Sequence, residues 1–162
     1  MRSAEAMGFP EIHLIKKEDR WKTSARTTAG SDKWLDLHPW TRTLDGLSHL
    51  KKRGYRLLAT HLEGAEPIET FDFSVPTVLV LGNEHAGVSP EAVNMCDHRV
   101  VVPMHGFVQS FNISVAGALA LYHIRGDRQT RLGQSGDLNP DQCLRLEAEY
   151  MLRSTENPER FF

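Results

Sequence analysis

Long apolar runs are missing from this 162-residue chain. Nothing approaches the ~20 consecutive apolar residues that cross a bilayer, and no charged-then-apolar leader opens the N-terminus. The expectation is a soluble, cytoplasmic protein. Cysteine is scarce: Cys96 and Cys143 are the two present, far apart and without CxxC or Cys/His ligand spacing, which argues against disulfides and a zinc site. Charge of one sign is missing too. With 19 basic and 21 acidic residues and a formal net charge of −2 there is no global basic field, so any nucleic-acid contact must rest on local clusters. No GxGxxG follows a strand, which counts against a Rossmann-type nucleotide-binding module. Repeats and low-complexity stretches are absent, and the eight histidines are scattered without a repeating pair. What remains, 40% hydrophobic and 25% charged, is the composition of one domain with an ordinary core.

Strand and helix signals alternate along the chain. Residues 1–9 read as the last turns of a helix with Gly8 as its C-cap, followed by Pro10 and a strand at 11–15. Residues 16–33 hold six basic side chains (Lys16, Lys17, Arg20, Lys22, Arg26, Lys33) against three acidic ones, with hydroxyls and Trp21 between them. That mixture suits phosphate contact and base stacking; a merely solvated loop is the alternative. Residues 34–40 alternate like a strand, and 43–52 carry Leu44, Leu47 and Leu50 on one helical face. A strand at 55–60, a turn-rich connection at 63–74 and an apolar strand at 78–81 follow. Ser89-Pro90-Glu91 caps the next helix. A short β-branched run at 99–102 stops at Pro103, and an apolar helix starts near Asn112. Arg125, Arg128 and Arg131 recur at spacing three near its end, where the helix dipole favours cations and phosphate can reach them. Gly133 to Gly136 break the chain before Asn139-Pro140-Asp141-Gln142 opens a last helix. The pattern specifies an α/β domain with a mainly parallel sheet flanked by helices.

Two strand–loop–helix units carry the chemistry. The loop at 103–112 presents Met104, His105, Gln109, Ser110 and Asn112 with little charge, and Ser110, Asn112 and Ser114 fall at spacing two across a helix start, the pattern of a polar pocket wall. In the earlier unit, Gly82 and Gly87 flank a loop between an apolar strand and a capped helix, where glycine permits close backbone approach to a ligand or simply a turn. His61, His85 and His105 are candidate general bases by residue type, but catalysis by a histidine is not expected.

The units resemble motifs 2 and 3 of the SpoU/TrmH branch of the SPOUT methyltransferases: Leu81-Gly82-Asn83-Glu84-His85-Ala86-Gly87-Val88, and Val102-Pro103-Met104 with Ser110-Phe111-Asn112-Ile113-Ser114-Val115-Ala116. Ala29-Gly30-Ser31 and Leu58-Ala59-Thr60-His61 resemble flanking parts of the same family. The resemblance implies transfer of a methyl group from S-adenosylmethionine to a ribose 2′-hydroxyl of RNA, with a tRNA D-loop guanosine as first candidate and rRNA as second. It further implies a C-terminal trefoil knot, a homodimer and no metal. Cofactor contacts are expected at Ala59, Thr60, His61, Leu81, Gly82, Asn83, Gly87, Val102, Met104, Ser110 and Asn112. Catalytic roles fall on Arg2, Glu84 and Asn112, and RNA contacts on Lys16, Lys17, Arg20, Lys22, Arg26 and Arg128. In the family pattern a strand and an asparagine precede the motif-1 arginine, here Arg2. The expectation is therefore a methyltransferase domain at 1–133, incomplete at its N-terminus, with a C-terminal helix and tail at 134–162. Such a chain should dimerise and bind cofactor but methylate poorly. A SPOUT-fold RNA-binding or assembly factor without turnover is the alternative.

Overall fold

The structure is a computed structural model that describes residues 1–16, 30–83 and 85–155. Its elements are α1 (Arg2–Ala6), β1 (Glu11–Ile15), β2 (Asp36–Trp40), α2 (Thr43–Lys52), β3 (Arg56–Thr60), β4 (Glu66–Pro67), β5 (Thr77–Val80), α3 (Pro90–Met95), β6 (His98–Val101), α4 (Ile113–Leu132) and α5 (Pro140–Ser154). All pairings between these strands are parallel. A four-stranded sheet runs β4-β6-β3-β5, and β1 pairs with β2 separately.

Strand β3 explains the layering. Successive side chains of a strand point to opposite faces, and three consecutive residues, Leu57, Leu58 and Ala59, are wholly buried. Leu57 and Ala59 pack with Leu47 and Leu50 of α2 and Ala92 and Val93 of α3. Leu58 faces the other way, onto Ile68, Phe71, Phe73, Val100 and, from α4, Ala120 and Ile124. Helices therefore cover both faces, as a parallel sheet requires. Among the described residues no helix is long and apolar enough to cross a membrane.

Two departures from the sequence expectation concern short elements. The 63–74 connection holds a two-residue strand, Glu66–Pro67, and a 3₁₀ turn, Ile68–Thr70, whose Ile68 is core. Elements this short have no period to read. Within 34–40 the strand is confined to Asp36–Trp40, because Ser31–Trp34 forms a 3₁₀ turn.

Candidate active site

Because β6, β3 and β5 are parallel neighbours, their C-terminal ends reach the same edge of the sheet, where ligands bind in open α/β folds. Side chain and backbone stitch these ends together: Thr60 Oγ1 donates to the Val80 carbonyl at 3.1 Å, and the His61 amide donates to the Val100 carbonyl at 3.1 Å. The edge thus gathers Ala59, Thr60 and His61 with Leu81, Gly82 and Asn83 and with Val102. The His61 ring is engaged by its neighbour, Nδ1 lying 3.0 Å from the Glu63 carbonyl.

The turn after β5 is held by its own atoms. Asn83 and Gly87 exchange backbone hydrogen bonds of 3.1 and 3.0 Å, and Asn83 Oδ1 accepts from the amides of His85 and Ala86 at 2.9 and 2.6 Å. Gly87 takes φ 65°, a conformation that favours glycine. At Gly82 an added Cβ would lie 1.9 Å from the Gly87 carbonyl carbon. One close approach that Gly82 permits is therefore that of the returning loop. Glu84 lies outside the described residues, as do Lys17, Arg20, Lys22 and Arg26.

The second loop, between Pro103 and Asn112, is the opposite case. Met104, His105, Gly106, Phe107, Val108, Gln109, Ser110 and Phe111 make no backbone hydrogen bond to another described residue, so their donors and acceptors are available to a polar ligand. The Phe107 ring stands fully clear of the chain. Asn112 then caps α4: its Oδ1 accepts from the Ser114 amide at 2.9 Å and from Ser114 Oγ at 2.5 Å. Gly117 brings α4 against the end of β5, since a Cβ there would lie 3.3 Å from Leu81 Cδ1. Loop, capped helix start and strand ends together present a surface with unspent backbone polar groups, the kind of group that holds a nucleoside cofactor carrying an amino-acid tail.

Arg2 is exposed on α1, and no described contact joins it to this edge. Helix α1 packs instead against α4, where Arg125 Nη1 donates to the Met7 carbonyl at 3.3 Å. Lys16 continues β1, its amide donating to the Trp40 carbonyl at 2.8 Å. The expectation for Arg128 is corrected. It is 7% exposed, on the same helix stripe as Gly117, Ala120 and Ile124. Its Nη1 donates to the Phe73 carbonyl at 2.8 Å, Nε to the Ser135 carbonyl at 3.3 Å, and Nη2 pairs with Asp137. A guanidinium enclosed in this way cannot reach a phosphate.

At the start of β6, Asp97 Oδ2 accepts from the Leu57 amide at 2.8 Å and Oδ1 pairs with Lys51 Nζ at 2.9 Å. Burial raises this carboxyl's pKa, but the Leu57 and Lys51 bonds outweigh it and hold it below the usual range. Burial pushes the neighbouring Cys96 thiol up to about 11, so Cys96 stays a thiol and is no nucleophile.

The sequence pattern of the SpoU rRNA Methylase family matches residues 1–122. The chain belongs to this family. Among SpoU relatives, the tRNA (guanosine(18)-2′-O)-methyltransferase of Escherichia coli K12 is 38% identical over 130 residues, covering 80% of this chain and 57% of the relative. The enzyme of the same name from Thermus thermophilus is 32% identical over 153 residues, 93% of this chain and 79% of the relative. The chain therefore spans little more than half of the Escherichia coli protein. In solved structures the SpoU fold recurs in the Aquifex aeolicus TrmH/SpoU tRNA modifying enzyme, with TM-score 0.80, 29% identity, and coverage of 96% of this chain and 81% of that one. It recurs in the SpoU methyltransferase AviRb from Streptomyces viridochromogenes in complex with AdoMet, with TM-score 0.68, 27% identity, and coverage of 80% and 53%. The architecture is that of the SPOUT methyltransferases.

Proposed function

We propose that this domain methylates a ribose 2′-hydroxyl of RNA with S-adenosylmethionine as donor, acting on tRNA, with a D-loop guanosine as first substrate and a ribosomal ribose as second. The observation that carries the reading is the meeting of the C-terminal ends of β3, β5 and β6 at one edge of the sheet, beside a 104–111 loop whose backbone groups are unspent. Two relatives named for guanosine-18 2′-O-methylation, one of them similar over 93% of this chain, support the tRNA choice.

When bound, S-adenosylmethionine supplies an electrophilic methyl group on a sulfonium, and its transfer needs no metal ion. The protein's task is then chiefly alignment and removal of one proton. Backbone groups of 104–111 bind the polar ends of the donor, while the strand-end residues Thr60, His61, Leu81 and Gly82 wall it from water. Asn112 and Ser110 fix the loop at the start of α4. Arg2 positions the acceptor: its guanidinium, protonated far above neutral pH, is no base but a clamp for the RNA phosphate beside the reacting ribose. It reaches the bound donor in a homodimer, where the exposed apolar Phe107, Val108, Val115, Leu119 and Tyr122 are covered by a second chain. Glu84 holds the two loops in register, and Lys16, Lys17, Arg20, Lys22 and Arg26 bind the RNA backbone. The trefoil knot of the family is formed by the segment through 102–112, and the protein works in the cytoplasm. Residues 1–133 constitute the methyltransferase unit and 134–162 an appended helix and tail.

The exposed, uncontacted Arg2 favours a second reading, a SPOUT-fold RNA-binding factor without turnover. Transfer of tritiated methyl groups to unmodified bulk tRNA and rRNA decides between the two. The proposal expects incorporation into tRNA that stops when guanosine-18 is already methylated. Binding of S-adenosylhomocysteine without incorporation into either RNA supports the second reading.

A further inference from the structure

Away from that sheet edge, strands β1 and β2 assemble a second group of functional side chains. Glu11 and His13 alternate on β1 and so share a face, and the parallel register sets His38 of β2 opposite His13. His13 Nε2 lies 2.9 Å from Glu11 Oε1, His38 Nε2 lies 3.9 Å from the same oxygen, and the three donor atoms fall within 4.8 Å of one another. We propose that Glu11, His13 and His38 form a site for one divalent transition-metal ion of the zinc, cobalt or nickel kind.

Two imidazoles and a carboxylate are the donor set these ions take. Donors at ~2.1 Å from a common ion stand roughly 3–4 Å apart, so the Glu11 distances already suit one. The widest gap closes by rotating His38, whose side chain is 46% exposed. The back of the site is built. The His13 ring stacks on His38 at 4.8 Å and on Trp40 at 6.0 Å, while His49 of α2 lies 6.1 Å from His13. Glu11 and His38 also line a cleft of about 660 Å³, which leaves a fourth position for water.

Two contacts compete with the ion, and they make the site exchangeable. Arg53 donates to both oxygens of Glu11, through Nη1 to Oε1 and through Nη2 to Oε2 at 3.2 Å; with a side chain 40% exposed it can withdraw into solvent. Trp40 Nε1 donates to His13 Nδ1 at 2.9 Å, which places the proton of the neutral ring on Nε2. To bind, the metal takes the Nε2 lone pair, the proton moves through solvent to Nδ1, and the Trp40 bond is given up; no net proton is released. A bound ion pins β1 to β2, the strands between which residues 16–35 run. The cysteine-based reading against zinc does not bear on this site, because its ligands meet only through strand pairing.

The test uses the full chain without a histidine tag, stripped with EDTA and titrated with Co²⁺. The expected result is one Co²⁺ per chain with a visible d–d band, quenching of Trp40 fluorescence, and release by one equivalent of Zn²⁺. His38→Ala, a half-exposed position where folding is checked by circular dichroism, should weaken binding at least tenfold. Arg53→Ala, which removes the competitor, should tighten it at least fivefold. Absence of Co²⁺ uptake by the unsubstituted chain overturns the site, and so does a Co²⁺ affinity that neither substitution changes.

Discussion

Arg128 gives the sharpest test of what holds this fold, because replacing it separates an interior strut from an RNA contact. Adjacent residues of α4 grip both backbone groups of Phe73: Asp127 Oδ2 accepts from the Phe73 amide at 2.9 Å, and Arg128 Nη1 donates to its carbonyl at 2.8 Å. The Phe73 side chain is itself core. In Arg128→Met the methionine keeps most of the apolar stem, but the Phe73 carbonyl loses its charged donor, a loss of about 1.5–3 kcal/mol. The bonds to Ser135 and to Asp137, whose side chain is 79% exposed, add about 1 kcal/mol at most after solvent screening. The total is about 2–4 kcal/mol, which for a chain of this size lowers the melting midpoint by roughly 5–15 °C. Differential scanning calorimetry measures the shift, and filter binding of tRNA against salt measures the phosphate contribution. A midpoint within ~1 °C of the unsubstituted protein, with a salt slope reduced by about one unit, would refute the assignment of Arg128 to the interior.

Gly82→Ala should leave secondary structure intact yet abolish S-adenosylhomocysteine binding by calorimetric titration, because its Cβ displaces the returning Gly87 backbone; unchanged affinity would disprove that crowding. Asp97 carries a carboxyl held below its ordinary value, so its stabilising effect is present above about pH 4 and is lost as pH falls through the lower folded value. Asp97→Asn should accordingly flatten the acid limb of midpoint against pH, and an unaltered limb counts against the Leu57 and Lys51 contacts. Arg2→Ala should reduce methyl incorporation at least tenfold with S-adenosylhomocysteine affinity unchanged, and equal rates would remove Arg2 from catalysis. At pH 8, iodoacetamide should modify exposed Cys143 well before Cys96, as peptide mapping by mass spectrometry will register.

Much of this architecture was legible because it rests on local chemistry. The caps at Ser89, Asn112 and Asn139 follow directly from residue type, and each side chain accepts the amide bond expected of it. The apolar runs at 55–60 and 78–81 announced strands, and both form in the parallel sheet as β3 and β5. Three features escaped, two because their partners are distant in sequence and one, at Gly82, because the closure of a five-residue turn is not written in its residue types. Arg128 reads as a surface cation until Phe73, 55 residues earlier, is seen to need it. Gly82 reads as ligand clearance until Gly87 folds back upon it. Glu11, His13 and His38 show no ligand spacing, since pairing of β1 with β2 creates their proximity. The trefoil knot that the family resemblance implies has no signature in the pattern of residues, because no periodicity encodes threading.

The burial of β3 on both faces bears on how the chain is made. Its first strand partner, β5, begins at Thr77, its second, β6, at His98, and the helix covering Leu58 only at Ile113. During synthesis, therefore, Leu57 and Leu58 emerge well before anything can cover both of their sides. Parallel pairing offers no tight hairpin to shelter them in the interval. A ribosome-bound chain halted once this strand has left the exit tunnel but before α4 has should hold it open to holdase chaperones, and the hazard should end only when α4 has cleared the tunnel.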